Sequence, residues 1–71
     1  MDDSDRELLT GMGNCYEVCG ENFEETVRMV SSARGLTPEV VRARLHRMRE
    51  EYGDSEAFQT LRARLPEGFP F

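Results

Sequence analysis

Lysine is missing altogether. All nine basic side chains are arginine, against 14 aspartates and glutamates, and the net charge is −5. An acid surplus of that size argues against nonspecific nucleic-acid binding by the whole surface. A local site stays open, because arginine's planar fork suits phosphate and guanine; a GC-rich genome would produce the same all-arginine set. Long apolar runs are missing too, and without roughly 20 consecutive apolar residues there is no membrane span. Histidine occurs once and cysteine twice. Structural zinc needs four ligands, usually as two close pairs, and Cys15 and Cys19 make only one. No metal and no cofactor is therefore expected. His46 has no serine or cysteine that the sequence sets beside it, so the chain is not read as an enzyme. The acids Asp2, Asp3 and Asp5 lack the calcium-loop spacing and read as N-terminal solvation and helix-dipole matching. An acidic N-terminus also argues against a secretory leader, which places the chain in the cytoplasm with reduced cysteines.

What is present is helical periodicity, with no sustained alternation of the strand kind. The fold class expected is all-α: a compact bundle of four short helices in one domain, residues 1–71. A chain of 71 residues buries only roughly 60% of its unfolded surface, so the core is small. The first helix opens on a capping box, Ser4-Asp5-Arg6-Glu7. Its stripe is Leu8, Leu9, Met12, Cys15, Tyr16 and Cys19, which puts both cysteines among core thiols. Gly11 and Gly13 weaken it, and Gly20 stops it. The second helix begins at Asn22, carries Phe23, Val27 and Val30 inward, and ends at Gly35, a residue able to take the left-handed conformation. The third has Thr37 as its cap and Pro38 at the first helical position, with Val41, Leu45, Met48 and Tyr52 inward and Gly53 closing it. The fourth begins near Asp54 or Ser55, carries Phe58, Leu61 and Leu65, and ends at Pro66. Pro70 keeps the tail, residues 67–71, non-helical. Phe69 and Phe71 can fold back onto the core or form a flexible, sticky end.

Charge is segregated along the chain. Residues 1–27 hold eight acids and one base, a net of −7; residues 28–49 hold six arginines and one acid, a net of +5; the remainder carries −3. The positive block falls on "ETVRMVSSARGLTPEVVRARLHRM", which resembles the generic bacterial helix-turn-helix motif over about 20 residues. Val30, Ser31, Gly35, Leu36, Val41 and Leu45 match its apolar, small and turn positions. Arg34 departs from it, standing where an apolar residue is usual. The resemblance implies a small DNA-binding transcriptional regulator, possible as a homodimer, that takes double-stranded DNA. Thr37, Glu39, Arg42, Ala43 and His46 would sit on the reading face, with Arg28, Arg34, Arg47 and Arg49 on phosphates.

The rival expectation is an acidic adaptor that binds another protein and no DNA. Its contacts would be Met29, which lies off the second helix's apolar stripe, and the Phe69 and Phe71 tail. The two expectations differ on one observable. Arginines splayed over an open face favour DNA; arginines paired with the N-terminal acids count against it. Local pairs are also within reach, Glu39 with Arg42 and Arg47 with Glu50 or Glu51.

Overall fold

The computed structural model describes residues 2–70 and forms an all-α bundle. Helix α1 spans Asp3–Val18, α2 Phe23–Arg34, α3 Pro38–Tyr52 and α4 Glu56–Ala63. No strand occurs among the described residues. Leu8, Leu9 and Met12 of α1, Val27 and Val30 of α2, Val41, Leu45 and Met48 of α3, and Phe58 of α4 make one buried cluster. Helix α1 packs on both α2 and α3, and those two pack on each other.

Three of the four starts follow the local cap chemistry. Asn22, Thr37 and Ser55 each accept a hydrogen bond from the backbone N–H three residues on, at 3.0, 3.2 and 3.1 Å. The first start differs from the capping box expected at Ser4. Asp2 is the cap, its Oδ1 accepting from the Asp5 N–H at 2.9 Å, so α1 begins at Asp3. Ser4 instead serves α3, its Oγ accepting a hydrogen bond from Arg44 at 2.9 Å. At the other end of the bundle, α4 stops at Ala63, short of Leu65. Leu65 precedes Pro66 and is pushed away from helical geometry, and its N–H turns back to the Arg62 carbonyl at 3.1 Å.

Gly13 is a packing notch in α1. A Cβ there would stand 2.9 Å from Leu65 Cδ2 and 3.4 Å from Pro66 Cδ. The bare backbone lets the segment after α4 lie against α1. Beyond it, Phe69 turns in, its ring edge-on to Tyr16 at 5.0 Å and to Phe23 at 5.9 Å, while the Tyr16 hydroxyl donates to the Gly68 carbonyl at 3.1 Å. Phe71 lies outside the described residues. The α2–α3 connection is three residues, with Gly35 in the left-handed region at φ +67 and the Leu36 N–H closing on the Ser31 carbonyl at 2.8 Å. Ser31 is buried, its hydroxyl donating to the Val27 carbonyl at 2.6 Å.

Candidate interaction surface

The six arginines of residues 28–49 meet different fates. Arg28 pairs with Glu25 at 3.5 Å on the exposed side of α2. Arg34 donates to the backbone carbonyl of Glu7 at 3.1 Å, passing beside Gly11, where the absence of a side chain leaves room. Arg42 pairs with Glu24, not with Glu39 three residues before it. Arg44 reaches Asp5 at 3.0 Å, and Arg47 stands 3.9 Å from the same carboxylate rather than on Glu50 or Glu51. Arg49 has no ion pair among the described residues. His46, at the outer face, lies 3.2 Å from Glu50.

Asp5 corrects the sequence-based expectation of a solvated acid. It is 1% exposed, shared by Arg44 and Arg47, with the Tyr52 hydroxyl 3.5 Å from its second oxygen. Its place in the first turn of α1 turns it toward α3, and a buried carboxylate persists only with such partners. Tyr52 feels the same surroundings. Partial burial, and then the charges of Asp5, Glu51 and Asp2, raise its pKa above the ordinary 10.0, with Arg47 opposing.

Thr37, Glu39, Arg42, Ala43, His46, Arg47 and Arg49 are all exposed on α3 or at its start, and Arg28 and Arg34 are exposed on α2. A shallow groove of about 330 Å³ separates part of this face from the tail, floored by Phe23 and Leu45 and edged by Arg42, His46, Arg49 and Pro70. Acids line the neighbouring start of α2, where Glu24 and Glu25 occupy the first turn.

Three large apolar side chains are exposed among the described residues: Val18 at 79%, Met29 at 45% and, on α3 beside this face, Val40 at 42%. Met29 was legible from its position off the α2 stripe; Val18 gave no such signal on its own, although it too falls outside the Leu8–Met12–Tyr16–Cys19 stripe. Phe69 is half-buried against Tyr16 and Phe23 and offers little to a partner. Cys15 and Cys19, expected as buried core thiols, are only half-buried, and both are free. Cys19 is the residue that ends α1, which carries its side chain out of the core; its Sγ lies 3.9 Å from Met29 Sδ.

No described helix is long and apolar enough to cross a membrane. Comparison with protein-family models, with curated proteins and with solved structures gives no match.

Proposed function

We propose that the chain is a helical protein-interaction module. Its contact surface takes in the exposed Val18 at the end of α1 and the exposed Met29 of α2, and its partner presents an apolar side chain flanked by arginine or lysine. The observation that carries this reading is the pairing of Arg28, Arg42, Arg44 and Arg47 with Glu25, Glu24 and Asp5, all from the acidic first 27 residues. Cations held in this way are poorly disposed to meet phosphate, and binding at physiological salt takes several phosphate contacts. The start of α2, which would face the DNA backbone in helix-turn-helix docking, carries Glu24 and Glu25 instead. Glu17 and Glu21 neighbour Val18 in sequence, and the last turn of α1 carries no basic residue, so this end of the helix is acidic.

A helix-turn-helix DNA-binding regulator is the second reading. In its favour are the three-residue connection with left-handed Gly35, buried Ser31, and the exposed row Thr37, Glu39, Arg42, Ala43 and His46.

One fluorescence-anisotropy design separates the two. The chain is titrated with an arginine-flanked leucine peptide at about 150 mM salt, where screening acts within about 8 Å, and with mixed duplex DNA at about 50 mM salt, where phosphate contacts are strong. The module reading predicts peptide binding that Val18→Asp abolishes although it makes the chain more acidic, and no DNA binding. DNA binding that Arg42→Ala removes, or peptide binding undiminished in Val18→Asp, overturns it.

A further inference from the structure

The groove of about 330 Å³ beside Pro70 combines an apolar floor with a cationic rim. Arg42, Leu45, His46 and Arg49 follow one another at three- and four-residue steps, so all four stand on one face of α3. Phe23, half-buried at the first position of α2, closes the other side. The walls are more apolar than polar, and none of the lining side chains among the described residues is acidic. Two of the three basic side chains on the rim already have acids: Arg42 holds Glu24, and His46 lies 3.2 Å from Glu50. Arg49 makes no ion pair among the described residues, so its guanidinium is the one charge at the groove without a counterpart.

We propose that this groove binds a small amphipathic carboxylate, its apolar end against Phe23 and Leu45 and its charged end on Arg49. The planar guanidinium fork matches a carboxylate with two parallel hydrogen bonds. Ligand pockets run from roughly 300 to 1,000 Å³, and this groove stands at the lower limit, which suits a single ring or short alkyl group. A carboxylate brings the one negative charge that Arg49 lacks. A phosphate carries about 1.5 to 2 charges at neutral pH and would set the surplus against Glu24 and Glu50, which flank the rim. The site uses neither Val18 nor Met29, so it stands apart from the protein-interaction surface.

The test is a titration of the full chain with 3-phenylpropionate, followed by amide NMR shifts. The shifts should centre on Phe23, Leu45, His46 and Arg49. Acetate, which lacks the apolar end, and 3-phenylpropionamide, which lacks the charge, should each bind about tenfold or more weakly. Arg49→Gln changes an exposed side chain, so it should melt as wild type yet bind 3-phenylpropionate about tenfold or more weakly, having lost a charge-assisted hydrogen bond. Arg62→Gln makes the same change in net charge on the exposed side of α4 and should bind as wild type. Shifts absent from the groove, undiminished binding by Arg49→Gln, an equal loss in Arg62→Gln, or displacement by equimolar inorganic phosphate overturns the carboxylate site. Ligand and variants are distinct from those of the peptide titration, so the two proposals fail separately.

Discussion

Arg42 on the outer face of α3 is held by Glu24, a residue of the first turn of α2 that lies 18 positions earlier in the chain. Both side chains are largely exposed, so the pair fixes where the guanidinium points more than it stabilises the fold. Exposed pairs contribute about 0–1 kcal/mol. Arg42→Ala should therefore shift the urea unfolding free energy by less than about 1 kcal/mol, and raising salt should shrink that difference further. A larger loss would mean that the arginine stem carries packing that its exposure does not suggest.

The two glycines inside α1 should respond oppositely to alanine. A Cβ at Gly11 would meet only the far end of the Arg34 side chain, at 3.4 Å. Gly11→Ala should thus gain most of the helix-propensity difference, up to about 1 kcal/mol. At Gly13 the Cβ would run into Leu65 at 2.9 Å with Pro66 behind it. Gly13→Ala should show no gain, or a loss, in thermal melts, with weakened near-ultraviolet signal from Tyr16 as the Leu65–Phe69 segment lifts. Equal stabilisation at both positions would dissolve the notch.

Tyr52 gives the pH dependence its sign. Its pKa is raised in the folded chain, so the folded state holds the phenolic proton more tightly than the unfolded state does. That contribution is complete below the ordinary value of 10.0 and is lost as pH rises through the folded value. Unfolding free energy should fall more steeply above pH 10 in wild type than in Tyr52→Phe, measured by urea titration at each pH. Parallel curves for the two proteins would remove Tyr52 from the alkaline limb.

Local signals carried much of this fold. Asn22, Thr37 with Pro38, Gly35 and the Val41–Leu45–Met48 stripe mark their helices through contacts three to five residues away, and such contacts are written in the spacing. Gly11 and Gly13 read as defects because the side chains that approach them, Arg34 and Leu65, come from other parts of the chain. The same limit explains the surface. Arg42 had Glu39 and Arg47 had Glu50 and Glu51 within helical reach, yet Glu24 and Asp5 are their partners, set by how α1 and α2 lie on α3. The charge blocks along the chain did hint at such a match, without naming its pairs. Cys19 looked like a core residue as long as the stripe was taken to continue through it; α1 ends one residue earlier, and the sulfur turns toward Met29.

The central claim is that four of the six arginines of the basic block, Arg28, Arg42, Arg44 and Arg47, are paired with the chain's own acids, most firmly Arg44 with Asp5. A double-mutant cycle with Asp5→Asn and Arg44→Ala in urea tests it most directly. Asp5 is buried and Arg44 lies 3.0 Å away, so the coupling should be about 1.5–3 kcal/mol, the range for a hydrogen bond to a charged group. Additive losses from the two substitutions would contradict the claim and return the arginines to solvent, where phosphate could reach them.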